Sequence, residues 1–391
     1  DGNEYIDYLL SYSALMLGHG HPKIQAAVME QIDSSGTWLF GTPHQLEVTF
    51  GERLKQYMPS IELLRYTNSG TEATLLALRL AASYTGKYKI AKFEGHYHGG
   101  YDQVLLSTEP PLNEAGPENA PFAVPASKAV DPYYQERTII LPFNREEAFD
   151  ILRMHQDEIG AVLLEPTPGG FIPADPSFMK KLRQVTEECG IVLIFDEVKT
   201  GFRSCLGGVQ NLYDIKPDLT ALGKVIGGGF PFGVVGGKRE ILLESAPIHS
   251  QSNKWLHAKD VLFHSGTYNG HPMILAAGLA TFDVLENELS DAIAMADQLK
   301  TGLEALFKQK GIPMQAIGLG TMFNIVLTDQ PISNYRDYLQ ADFELRRKID
   351  IELWDAGIYS KPLNRYSLST CHGPEEISKT LEAYDDVLKR I

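Results

Sequence analysis

The sequence predicts an α/β fold. A mostly parallel central sheet is flanked by helices, and a smaller α+β domain is built from the C-terminal part and the N-terminal segment. Three observations lead there. Short apolar runs alternate with helical patterns between residues 63 and 236, the signature of a mostly parallel sheet. A long helical pattern over 272–310 opens on the buried-looking Ile274-Leu275-Ala276-Ala277 and carries the chain out of the large domain. The length of 391 residues leaves room for one large domain and a smaller one.

In chain order, strands are expected at 63–67, 88–93, 161–165, 191–196, 219–221 and 233–236, and helices at 45–57, 71–84, 145–155 and 176–188. The last helix keeps Lys180, Lys181, Arg183 and Glu187 spaced for water. The stretch 107–135 is rich in Pro, Ala and polar residues and reads as a long loop, of the kind that forms active-site lids or is disordered. The smaller domain is expected to hold a strand at 320–327, a helix over 339–356 and a last helix from Pro374. The opening, Asp1 to Asp7, reads as a hairpin turn leading into a strand. The expected division is 1–40 for the N-terminal segment, 41–285 for the large domain and 286–391 for the small one. No internal repeat is present.

Composition excludes several classes. A hydrophobic content of 43% suits a globular protein with a sizeable core. A formal charge of −15 argues against nucleic acid and against anionic membrane surfaces. No run of 18 apolar residues occurs, so no spanning helix is expected. Cys189, Cys205 and Cys371 form neither an even framework nor a C-x-x-C pair, which points to reduced thiols and a cytoplasmic setting. There is no signal peptide at Asp1, although the chain reads as beginning inside a domain, with room for a targeting segment upstream.

Lys224 sits in Ala221-Leu222-Gly223-Lys224-Val225-Ile226-Gly227-Gly228-Gly229, and Asp196 lies 28 residues before it at the end of an apolar run. A lysine boxed in by glycines and apolar residues is desolvated, which frees its amine as nucleophile and base. A pyridoxal phosphate enzyme needs such a lysine for its Schiff base and a fixed aspartate to keep the pyridine nitrogen protonated. Ligands of open parallel sheets bind outside the carboxyl ends of strands, where Asp196 falls; a plain cap or turn is the alternative. Val198 points to the same side and suits packing on a ring. Asn68-Ser69-Gly70-Thr71-Glu72 ends a strand and opens a helix, so Ser69, Gly70 and Thr71 read either as a phosphate site or as an ordinary cap. Tyr97, in Gly95-His96-Tyr97-His98-Gly99-Gly100, suits stacking on a flat cofactor. His96 and His98, with His19 and His21, raise the question of a metal, but no third ligand falls at a persuasive spacing, so no metal is expected. Thr267, in a glycine- and hydroxyl-rich turn before a helix, is a second phosphate candidate.

Taken together, these stretches resemble the class III, fold-type I pyridoxal phosphate aminotransferases. The likeness is nearest to the branch of glutamate-1-semialdehyde aminomutase and the bacterial β-amino acid transaminases. It runs from Asp1 to the last helix and is strongest at 1–7 with Gly18-His19-Gly20-His21-Pro22, then at 68–72, 92–99, 164–166, 195–203, 217–238 and 265–272. The resemblance implies that Lys224 bonds covalently to the cofactor, Asp196 pairs with its ring nitrogen, and Val198 and Tyr97 pack on opposite faces. It implies that Ser69, Gly70 and Thr71 hold the phosphate and that Glu165 stands near the ring. Thr267 would reach the phosphate of a neighbouring subunit, making the active unit a homodimer, and Tyr12 would form an aromatic wall of the substrate pocket.

The expected activity is aminotransfer from an amine or amino acid, of β or ω type, to a 2-keto acid by a ping-pong mechanism. The alternative is the aminomutase, an isomerase. The mutase places a gating loop where this chain has the longer 107–135, and a glutamate where this chain reads Lys361-Pro362-Leu363-Asn364-Arg365. Arg365 resembles the carboxylate-binding arginine of β-amino acid transaminases; a surface arginine in a turn is the bland reading. A non-catalytic relative is a third class, and the intact set of Lys224, Asp196 and Ser69–Gly70–Thr71 speaks against it.

Overall fold

Every residue of the strand Val192–Asp196 is buried, as befits a parallel strand covered by helices on both faces. In this computed structural model, which describes residues 2–248 and 254–391, it is the sixth strand in chain order. The strands are β1 Ile6–Asp7, β2 Leu63–Thr67, β3 Lys89–Phe93, β4 Thr138–Leu141, β5 Ile159–Leu164, β6 Val192–Asp196, β7 Leu219–Gly223, β8 Gly233–Gly237, β9 Gln315–Leu319, β10 Met322–Val326, β11 Ile358–Tyr359 and β12 Tyr366–Ser367. The longer helices are α1 Pro22–Ser35, α2 Gln45–Tyr57, α3 Gly70–Thr85, α4 Glu147–Met154, α5 Pro176–Glu188, α6 Pro272–Gln309, α7 Phe343–Asp355 and α8 Pro374–Arg390.

The central sheet has the order β2-β8-β7-β6-β5-β3-β4. Only β8 runs against its neighbours, pairing antiparallel with both β2 and β7; the other pairings are parallel. Alternate residues feed two cores. Val162, Leu164, Leu193 and Phe195 pack with Phe149 of α4 and Phe178 and Leu182 of α5. Ala161, Leu163, Val192 and Ile194 pack with Ala73, Leu76 and Leu80 of α3. A separate antiparallel sheet, β12-β10-β9, shares a third core in which Tyr8 packs with Leu299, Phe307, Ile349, Tyr366 and Tyr384. Among the described residues no helix is long and apolar enough to cross a membrane.

Several expectations are corrected. The opening is no hairpin: β1 pairs in parallel with β11, and Asp1 lies outside the described residues. β4 is a short edge strand that four residues before Pro142 signalled too weakly. The expected strand at 320–327 is the second arm of a hairpin whose first arm, β9, is half-buried throughout and carries no clear alternation. The helix expected from 339 starts at Phe343, because the Asp342 carboxylate caps it by accepting the Leu345 N–H at 2.9 Å. The stretch 107–135 is a packed excursion. Ser107 Oγ donates to the Phe122 carbonyl at 2.6 Å and accepts the Val124 N–H at 2.9 Å, and Leu106 and Val130 pack on Ile140.

Candidate active site

The carboxyl ends of β6 and β7 and the N-terminus of α3 converge on a cavity of about 170 Å³ lined by Ser69, Gly70, Thr71, Tyr97, His98, Gly99, Asp196, Val198, Lys199 and Lys224. None of the 107–135 stretch lines it, so the lid reading of that stretch is not carried by this cavity.

Ser69 caps α3. Its Oγ accepts the Glu72 N–H at 3.1 Å, and Glu72 in return accepts the Asn68 N–H at 2.7 Å. The cap and the anion site are thus compatible, since the Ser69 hydroxyl proton remains free to donate beside the unpaired N–H groups of the helix start. Gly70 is required by packing: a Cβ there would stand 2.5 Å from Val198 Cγ1. Gly70→Ala is therefore expected to push Val198 into the cavity and destabilise the fold by about 1–3 kcal/mol, seen as a lower denaturant midpoint together with weaker cofactor retention; an unchanged midpoint and retention would refute the packing argument.

Asp196 Oδ1 accepts the Val198 N–H at 3.0 Å, and Oδ2 lies 2.8 Å from His98 Nδ1. Burial pushes His98 below the usual histidine range, against the pull of Asp196. The ring is therefore neutral at pH 7, and its Nδ1–H donates to the carboxylate. Lys92, fully buried, donates from Nζ to the His96 carbonyl at 2.9 Å and to the Leu106 carbonyl at 2.5 Å, which pins the loop that carries Tyr97 and His98. Burial brings Lys92 down to about 7, with Glu165 and Glu94 opposing.

Lys224 follows β7 at a φ of +47°, a left-handed conformation that costs a non-glycine residue energy and is characteristic of functional positions. Burial and then the neighbouring Lys199 bring its amine down to about 8, with Asp196 and Glu165 pulling the other way. Glu165 stands just behind the cavity. Its Oε2 accepts the Tyr97 N–H at 2.9 Å, and its Oε1 meets Lys199 Nζ at 2.6 Å. Burial raises the Glu165 carboxyl, but the Lys199 ammonium and the Tyr97 N–H outweigh it and hold it below the usual range.

The other candidates lie apart from this cavity. Arg365 is 9% exposed; its Nη2 donates to Ser13 Oγ at 3.1 Å, and its buried Nε has no partner among the described residues. Burial pushes its guanidinium down, opposed by Glu165, and its charge is felt at Lys224. Tyr12 is 54% exposed and sits in a left-handed turn formed by Leu10, Ser11, Tyr12 and Ser13, with Lys361 Nζ 5.7 Å from its ring centroid. Thr267 is exposed on a turn held to the α3 start by Asn68 Nδ2 donating to Asn269 Oδ1 at 3.0 Å. His19 pairs with Asp7 and His21 caps α1, so neither joins His96 and His98.

Sequence reasoning missed Lys199, the partnership of His98 with Asp196, and Arg203. Arg203 is fully buried and donates to the Ser13 carbonyl. Lys199 stood three residues after Asp196, inside a run already singled out, and its charge so close to a strand end was the available signal.

This sheet, with a capped helix start and an aspartate and a lysine at neighbouring strand ends, defines the fold-type I class of transferases. The chain belongs to the class-III aminotransferase family, whose profile matches residues 1–368. It is 40% identical to the glutamate-1-semialdehyde 2,1-aminomutase of Ignicoccus hospitalis, an alignment covering 100% of this chain and 89% of the relative. An omega-transaminase from Sphaerobacter thermophilus superposes with a TM-score of 0.92 at 35% identity, covering 100% of this chain and 87% of that one. A β-phenylalanine aminotransferase from Variovorax paradoxus does so at 0.83 and 31%, covering 100% and 84%.

Proposed function

We propose that the protein is an aminotransferase that moves an amino group from a carboxylate-bearing amine, of β- or ω-amino acid type, to a 2-keto acid. The cofactor is pyridoxal 5′-phosphate, and the donor set suits it. The α3 start with Ser69, Gly70 and Thr71 fits a phosphate, Asp196 a ring nitrogen, Val198 and Tyr97 its two faces, and Lys224 its aldehyde. When bound, the cofactor supplies an electrophilic carbonyl and a ring that accepts electron density from a carbon losing its proton. Lys224 is the group placed to take that proton and return it, and an amine brought to about 8 is partly free at neutral pH. Asp196, oriented by His98 and the Val198 N–H, favours a positive charge on the atom it faces.

The observation that carries the substrate class is Arg365. Its buried guanidinium meets a hydroxyl and, at 3.5 Å, the Asn364 side chain, and no carboxylate pairs with it among the described ion pairs. A substrate carboxylate would supply the missing anion. The site's own carboxylates are engaged, Asp196 with His98 and Glu165 with Lys199. Arg365→Leu is expected to lower kcat/KM for a carboxylate substrate by roughly 10²-fold while a simple amine without a carboxylate is spared; equal losses on both would refute the role.

The aminomutase reading is supported by the names of the relatives: the Ignicoccus protein at 40% identity and the Methanothrix thermoacetophila and Methanococcoides burtonii proteins at 39% are all glutamate-1-semialdehyde 2,1-aminomutases. Sequence likeness therefore favours it, and the surroundings of Arg365 are what favour transamination. An amine-donor screen with pyruvate and 2-oxoglutarate, followed by bleaching of the yellow cofactor, separates the two. Turnover that requires a keto acid is expected. Turnover of glutamate-1-semialdehyde with no second substrate would overturn the aminotransferase reading.

We also place the protein in the cytoplasm, in keeping with its free thiols, as a homodimer in which the outward-facing Thr267 reaches the neighbouring subunit's phosphate. Sedimentation should show a dimer, and Thr267→Ala should weaken cofactor retention roughly tenfold; a monomer that is fully active would refute it.

A further inference from the structure

We propose that Glu165 is a positioning residue that separates the roles of the two lysines in the cavity: it holds Lys199 as a paired ammonium, so that Lys224 is the amine left to react with the cofactor's aldehyde. The inference rests on the cofactor reading above and deepens it.

Lys199 and Lys224 line the same cavity and carry the same functional group. Their surroundings differ. Lys199 Nζ lies 2.6 Å from Glu165 Oε1, with side chains 13% and 2% exposed, and 5.3 Å from the Tyr97 ring centroid. The other Glu165 oxygen is fixed by the Tyr97 N–H at 2.9 Å. Carboxylate, ring and ammonium thus form one clamp. An amine engaged in this way has no lone pair to add to a carbonyl. Lys224 has no carboxylate partner among the described ion pairs, and the clamped cation beside it, together with burial, disfavours a second positive charge. The clamp therefore acts twice, silencing one lysine and freeing the other.

The test is where the covalent bond forms. A lysine amine adds to the aldehyde carbon and water leaves, giving a C=N bond. Borohydride then delivers hydride to that carbon, the nitrogen takes a proton from solvent, and a stable secondary amine marks the lysine. Holoenzymes loaded with pyridoxal phosphate are reduced and their peptides mapped. Wild type should carry the tag on Lys224. Lys224→Ala should hold the cofactor without a tag on Lys199. In Lys224→Ala/Glu165→Gln the clamp is gone, and Lys199 should carry the tag in at least roughly a tenth of the loaded chains. Equal tagging of Lys199 in the single and double variants, or none in a folded and loaded double variant, would overturn the proposal. Should the double variant fail to fold or to hold the cofactor, Glu165→Gln alone decides. A tag shared between both lysines supports the clamp, and a tag on Lys224 alone overturns it. A loaded wild type with no tag on Lys224 would instead sink the cofactor reading, a failure distinguishable from that of the clamp.

Discussion

Lys224→Ala should abolish turnover and leave the fold intact. The variant removes both the covalent anchor and the proton carrier, so a loss of at least about 10⁴-fold in kcat is expected. The fold should survive because Lys224 holds no carboxylate among the described ion pairs, and an alanine there leaves no charge of theirs unpaired. A further signature lies in the unliganded protein. The Lys224 amine sits near 8 when folded, against 10.5 for an ordinary lysine, so the unfolded chain binds the extra proton between those values. Stability therefore rises with pH wherever the unfolded state holds more protons. The cost of the buried charge is present in full below about pH 8 and fades as pH climbs toward 10.5. Denaturant midpoints of cofactor-free wild type should thus gain on those of Lys224→Ala across this window. Normal turnover in the variant would end the mechanistic reading; a midpoint difference flat with pH would end the claim of a desolvated amine.

Asp196→Asn is the second large effect. The shape is kept and the charge is lost. His98 can still donate its Nδ1–H to the amide oxygen, but the amide nitrogen then meets the Val198 N–H and that hydrogen bond is lost. In the proposed cofactor pose no anion is left to favour a protonated ring nitrogen. A fall in kcat of about 10²–10⁴-fold is expected, with a stability loss of no more than about 1–3 kcal/mol for the Val198 N–H left unpaired and a changed cofactor absorption spectrum. If kcat stays near wild type while the cofactor is bound, Asp196 is only the strand-end cap that its position also allows.

Much of the scaffold was legible because it is written in local patterns. An apolar run of five or six residues buried on both faces reads as a parallel strand, and β5 and β6 read so. Ser69 and Gly70 announced a helix start through capping chemistry that involves only neighbours in the chain. β4 and β9 were missed because four residues at a sheet edge, or five half-buried ones, carry too little contrast for periodicity to register. The 107–135 stretch is the long loop its composition suggested, but its packing was not legible, because it comes from Ser107 bridging to residues 15 and 17 positions away, a spacing that no helix or strand period reports.

By itself the sequence determined which groups this protein has to work with: an α/β sheet, a lysine among glycines after one strand, an aspartate ending another, and a hydroxyl-rich helix start ahead of both. Only the tertiary structure decided what each group is free to do. It set Lys199 against Glu165, His98 against Asp196, and Arg365 against a serine 352 positions away instead of a carboxylate. The reason is physical. Backbone patterns follow from neighbours a few residues apart, whereas the reactivity of an amine or the charge of an imidazole follows from burial and from partners that chain packing alone brings into hydrogen-bond reach.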